Sequence, residues 1–150
     1  MSIINVVGAK IWGGGEQYVY DICKQLQQRH RTAYILVDQS NEDMQSRYAQ
    51  VGHVMTANLY TLKGFLSVNA VAKQVKEQGI DTIVCHSGKY ILFCIALKQL
   101  TDAKLVFIKH NLVPGKTDIY HRWINAQVDA FVCVSKLVYD DLMTPAIKDT

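Results

Sequence analysis

Proline and cysteine are scarce in this sequence, and glycine is no more than ordinary: 2 Pro, 4 Cys and 9 Gly among 150 residues. With 49% hydrophobic and 19% charged residues, that composition excludes collagen-like and disordered chains and fits one globular domain. A domain of this size buries roughly 70% of its unfolded surface, so it needs neither disulfides nor a structural metal to fold. Cys23, Cys85, Cys94 and Cys133 each lie inside an apolar segment and form no C-x-x-C pair, so they read as reduced core residues. His86 adjoins Cys85, but alternation along a strand points neighbours to opposite faces, and no metal site is expected. A strong charge of one sign is also missing. Sixteen Lys and Arg against thirteen Asp and Glu leave a dispersed +3, which excludes the basic footprint of a nucleic-acid binder. The longest apolar run, Tyr90 to Leu97, has eight residues, whereas a membrane-spanning helix needs about 20. Met1 leads into a strand-like run without the basic start and small-residue cleavage site of a secretory signal, so a cytoplasmic location is expected.

What is present is an alternation of short β-branched runs with amphipathic segments, the pattern of a parallel sheet with helices on both faces. The expected strands are Ile3 to Val7, Thr32 to Val37, Ile80 to Cys85, Leu105 to Lys109 and Ala130 to Val134, with a weaker one at His53 to Leu59. Most are almost continuously apolar, as strands buried on both faces should be. Glu16 to His30 sets Val19, Ile22, Cys23 and Leu26 at helical spacing, and Phe65 to Gln78 does the same with Val68, Val71, Ala72 and Val75. Gly79 follows as a left-handed cap. Tyr90 to Leu100 and Lys136 to Met143 complete the expected helices. The fold class is therefore α/β, a doubly wound parallel sheet.

In such a sheet ligands bind beyond the carboxyl ends of the strands, so the residues just after each run hold the candidate chemistry. After the first run come Trp12, Gly13, Gly14, Gly15 and Glu16, leading straight into a helix. Glycines let backbone approach a ligand, and the free N–H groups of a helix start favour phosphate. The bland alternative is a flexible turn with Glu16 serving the helix dipole. A Walker loop counted from Gly8 fails, because Gly14 and Gly15 stand where Lys and Ser or Thr are required. A dinucleotide fingerprint counted from Gly13 meets Tyr18 at its third glycine, although Asp38 stands where a ribose-binding acid would. An NAD(P)-binding domain thus stays open as an alternative, as does a stand-alone non-catalytic binding module. Further along, His86, Ser87 and Lys89 follow one run, and Lys109, His110 and Asn111 follow the next. Histidine in such a place donates hydrogen bonds or carries protons, and the lysines can balance phosphate charge. Ser135 opens the last expected helix as an N-cap or cleft residue. His30, His53 and His121 carry no comparable signal.

Taken in order, the Gly13-Gly14-Gly15-Glu16 loop, His86-Ser87, Lys109-His110-Asn111 and the closing Val128 to Ser135 stretch resemble the N-terminal domain of retaining GT-B glycosyltransferases of family four. The resemblance covers nearly the whole chain. It implies a Rossmann-like, acceptor-side domain, with transfer from a nucleotide-sugar to a glycan or lipid-linked acceptor with retention and without an obligatory metal. It also implies that the glycine loop lines the cleft near the donor phosphate and that His110 matches the active-site histidine contacting the transferred sugar. A C-terminal domain holding most of the donor site would be a further partner. That domain is missing from these residues, so the 150-residue chain is expected to be inactive alone. Lys10 and Trp12 ahead of the glycines, and Asn111, depart from the usual pattern. Trp12 is open between stacking on a sugar ring and packing against the domain partner. Many relatives use lipid-linked acceptors, so Lys63, Lys73 and Lys76 raise a peripheral membrane contact beside the ordinary reading of solvated lysines.

Overall fold

The computed structural model describes residues 2–60, 64–109 and 118–133. Six parallel strands form one sheet in the order β3-β2-β1-β4-β5-β6. They are β1 (Ile3–Val7), β2 (Tyr34–Asp38), β3 (His53–Ala57), β4 (Thr82–Cys85), β5 (Lys104–Lys109) and β6 (Ala130–Cys133). The helices are α1 (Gly14–Gln28), α2 (Glu42–Ala49), α3 (Gly64–Glu77), α4 (Ile91–Thr101) and α5 (Ile119–Gln127), with a short 3₁₀ turn at Gly88–Tyr90. This is the expected Rossmann-like α/β fold. Strands β1, β2 and β4 are buried almost throughout, whereas the outer strands β3 and β6 alternate with exposed residues, because each packs against a neighbour on one side only.

Alternation divides the apolar side chains between two cores. Ile4, Val6, Leu36, Ile83 and Leu105 meet α3, α4 and α5 on one face, and Val7, Ile35 and Val37 meet α1 and α2 on the other. Cys23, Cys85 and Cys94 are buried, Cys133 is partly buried, and none forms a disulfide. Burial pushes the Cys23 thiol up to about 11, so it stays protonated as a packing group.

The boundaries differ from expectation where the caps decide them. Helix α1 stops at Gln28 rather than His30, because His30 adopts a left-handed φ of 58°. His30 N–H bonds Gln27 O and Arg31 N–H bonds Leu26 O, the paired reverse bonds of a Schellman end. Helix α3 ends the same way at Gly79, φ 67°, with Ile80 N–H on Val75 O. Ile80 is therefore the apolar closing residue of that cap, and β4 starts at Thr82 rather than Ile80. Two helices lie where none was expected. In α2 only Met44 and Tyr48 are buried, and in α5 only Ile124, so neither carries a full apolar stripe. Their starts are set by Asn41 and Asp118, whose side chains accept from Met44 N–H and His121 N–H. The expected helix at Lys136 to Met143 lies outside the described residues.

Candidate functional site

Strands β1 and β4 lie side by side, yet α1 leaves β1 toward one face and α4 leaves β4 toward the other. Their loops part and open a crevice beyond the strand ends. It forms a cleft of about 1090 Å³, lined by Ala9, Lys10 and Ile11 after β1 and by Ser87, Lys89 and Tyr90 after β4. Asp38 at the end of β2, Gln39 and Ser40 just after it, and Asn58 and Tyr60 after β3 complete the wall.

Close packing fixes the floor. A Cβ on Gly8 would fall 2.7 Å from the Tyr90 ring and 3.0 Å from Leu59, so only glycine lets β1 pass at this point. The Tyr60 hydroxyl donates to Gly8 O, and its ring meets Tyr90 edge-on at 6.1 Å. Burial drives the Tyr90 phenol well above its usual range, so it stays protonated. Asn41 holds the next stretch, its Nδ2 donating to Ala9 O at 3.1 Å and Lys10 O at 3.4 Å. Asp38 is buried, with Oδ1 accepting from Leu59 N–H at 3.0 Å and Oδ2 from the Ser40 N–H and hydroxyl. Both oxygens thus tie the post-β2 turn to the post-β3 segment. Tyr18, at that fingerprint's third glycine, is 40% exposed, and Val19 and Cys23 pack α1 on the sheet instead.

The glycine loop leads away from this floor into α1. Gly13 is the N-cap, and its N–H donates to Glu16 Oε2 at 2.9 Å. Glu16 thereby caps its own helix. Gln17 N–H returns to Gly13 O at 3.0 Å. The N–H groups of Gly14, Gly15 and Glu16 have no intrahelical acceptor, as in any first turn. Nothing lies within 4 Å of a Cβ placed on Gly14. None of Gly13, Gly14, Gly15 and Glu16 is among the residues lining the cleft. Trp12 also lies outside that lining. Its ring packs 5.2 Å from Tyr48 and 5.8 Å from Tyr20, with the Arg47 guanidinium 4.7 Å above it. Buried Tyr48 donates to Glu16 O at 2.9 Å and so holds the start of α1 from below.

Of the remaining candidates, Ser87 and Lys89 line the cleft. Ser87 Oγ accepts from Lys89 N–H at 3.3 Å and shapes the turn that carries the lysine. His86 is half-buried with Nε2 2.9 Å from Oδ1 of Asn5, itself only 5% exposed. Lys109 ends β5 and is not among the lining residues. His110, Asn111 and Ser135 lie outside the described residues, as does Lys63. Sequence reasoning missed Ser40, Asn58 and Tyr60, which follow strands on the far side of β1. Their one visible signal is the polar interruption after each apolar run. Among the described residues no group of three or more His, Cys, Asp or Glu could hold a metal ion. No helix among them is long and apolar enough to cross a membrane.

A parallel sheet with its crevice between oppositely directed loops defines a Rossmann-like domain. The family model described as Glycosyltransferase Family 4 matches residues 12–146, and the chain belongs to that family. A glycosyltransferase from Rickettsia africae ESF-5 superposes with a TM-score of 0.75 at 19% identity, over 97% of this chain and 39% of its own. Anabaena HepE, solved with UDP, gives 0.69 at 17% identity over 99% of this chain and 40% of its own. MurG of Acinetobacter baumannii gives 0.65 at 12% identity over 91% and 43%. The chain therefore spans less than half the length of these structures. A comparison with curated proteins gave no match.

Proposed function

We propose that this chain is the acceptor-side domain of a glycosyltransferase moving a sugar from a nucleotide-sugar to a glycan or lipid-linked acceptor with retention. The observation that carries the reading is the cleft between the β1 and β4 loops in a chain of Glycosyltransferase Family 4. HepE is also solved with UDP and glucose, which favours a uridine diphosphate sugar as the first donor to try.

A C-terminal domain supplies most of the donor site, and the two domains close over the substrates, so the isolated chain does not turn over. Gly14 and Gly15 lie three and four residues beyond the cleft-lining Ile11, and their free N–H groups meet the departing diphosphate where it extends past the cleft, an electrostatic role of the oxyanion-hole kind. For Gly13 to join them, the Glu16 carboxylate must release its N–H. His110 positions the donor sugar, and Trp12 steadies the loop from the side. The reaction needs no obligatory metal. The enzyme works in the cytoplasm, peripheral at the inner face of the membrane. Exposed Ile119, Tyr120 and Trp123 on α5 support that contact better than Lys73, which pairs with Glu77.

The deciding experiment incubates the native gene product, isolated with an antibody against this chain, with labelled nucleotide-sugars and cell-derived glycan and lipid acceptors. Transfer that keeps the anomeric configuration and is lost in His110→Ala is expected. Inversion of configuration, or full activity in that variant, overturns the assignment.

A further inference from the structure

Two cations and one acid line the cleft. Lys10 projects from the loop after β1 and Lys89 from the turn after β4, so the two cations flank the crevice from opposite sides of the strand pair. Both are exposed, and neither forms an ion pair among the described residues, whereas Lys73 pairs with Glu77 and Lys98 with Asp129. The single acid in the lining, Asp38, has both carboxylate oxygens occupied by donors of the chain itself.

The lysines also stand on fixed backbone. Asn41 grips Lys10 O and the preceding Ala9 O, and Tyr60 grips Gly8 O. Ser87 Oγ holds Lys89 N–H as an acceptor, which leaves its own proton to donate to a ligand. Two unpaired cations on pinned loops, with the Ser87 hydroxyl beside Lys89, suit an anion of tetrahedral shape better than a neutral sugar.

We propose that Lys10 and Lys89 form a two-cation subsite for a phosphate group of the ligand. The existence of the subsite stands on this geometry. Its assignment to a substrate rests on the glycosyltransferase reading, under which the phosphate belongs either to the donor diphosphate or to a phosphorylated acceptor.

The test titrates the isotope-labelled chain with inorganic pyrophosphate and follows the amide resonances. Shifts should centre on Ala9 to Ile11 and on Ser87 to Lys89. Lys10→Ala and Lys89→Ala should each weaken binding about tenfold, the size of one lost charge-assisted contact. Lys10→Arg should restore most of it, and Lys73→Ala, which removes the same net charge elsewhere, should leave it unchanged. Undisturbed binding in both cleft variants, or an equal loss in Lys73→Ala, overturns the subsite. Displacement of pyrophosphate by UDP assigns the phosphate to the donor, and displacement by a short prenyl phosphate but not by UDP assigns it to the acceptor. If neither displaces it, the site takes only the free ion and the proposal falls. Sugar transfer by the native gene product without a lysine-dependent pyrophosphate site would remove this inference and leave the proposed activity standing.

Discussion

The two faces of the sheet do different work. On one, Ile4, Leu36, Ile83 and Leu105 pack with α3, α4 and α5 in an apolar core that spans β1 to β5. On the other, Val7, Ile35 and Val37 pack with α1 and α2 in a smaller core confined to β1–β3 and the segments around them. The smaller core carries the polar hooks: Tyr48 to Glu16 O, and Asn41, at the head of α2, to the Ala9 and Lys10 carbonyls. The larger core thus supplies stability. The smaller one converts packing into the position of the loop after β1.

The sharpest way to break this contrast is to damage each core in turn. Leu105→Ala, in the fully buried part of the larger core, should cost about 2–5 kcal/mol and lower the urea midpoint of the whole chain. A loss below about 1 kcal/mol would mean that the larger core does not carry the fold.

Gly8→Ala lies at the join between the cores and the cleft. Its new methyl must displace the Tyr90 ring, at a cost of about 1–3 kcal/mol. Tyr60 and Tyr90 resonances should shift with the loss, and an unchanged midpoint with unchanged aromatic shifts would contradict the close approach.

Tyr48→Phe keeps the ring and removes one hydrogen bond, so about 1 kcal/mol should be lost. The informative readout is local. Hydrogen exchange should speed up at Gln17 to Tyr20, whose N–H groups bond the carbonyls at the start of α1, but stay unchanged in β4 and β5. Uniform acceleration across the sheet would show that the smaller core has no separate positioning role.

The smallest effect concerns pH. Asp129 accepts from Leu105 N–H at 2.7 Å and pairs with Lys98 at 3.0 Å, joining the start of β5 to α4 at the edge of the larger core. The Leu105 N–H first, and Lys98 with it, hold the carboxyl below its ordinary 3.8. Because the folded value is the lower one, the stabilisation is present above the unfolded value and is lost as pH falls through the folded one. Urea midpoints measured from about pH 6 down to pH 3 should fall less steeply in Asp129→Asn than in the parent chain. Parallel slopes would remove Asp129 from the acid response.

The sequence displayed the strands and the long helices because their apolar residues recur at regular spacing. Val68, Val71, Ala72 and Val75 mark α3 and are all buried, whereas of the α1 row Val19 and Cys23 are buried and Ile22 and Leu26 only partly so. Helix α2 escaped because Met44 and Tyr48 alone face inward, and its clearest mark was the Asn41-Glu42-Asp43 start. The site was legible in part. Ser87 and Lys89 could be found because they follow a strand on the crevice side. Tyr60 and Asn58 could not, because nothing in the order of residues says that β2 and β3 fold back beside β1. Sequence left Trp12 open between a sugar ring and the domain partner, whereas its ring packs within this domain on Tyr20, Tyr48 and Arg47.

The sequence by itself determined the periodicities, and with them the α/β class, the turn at Gly79 and the glycine-led start of α1. These depend on neighbours within a few residues along the chain. Only the tertiary structure decided that β4 inserts beside β1, that Lys10 and Lys89 face one crevice, and that Asp38 spends both oxygens on Ser40 and Leu59. Those outcomes depend on which distant surfaces bury one another most completely, and local spacing carries no record of that competition.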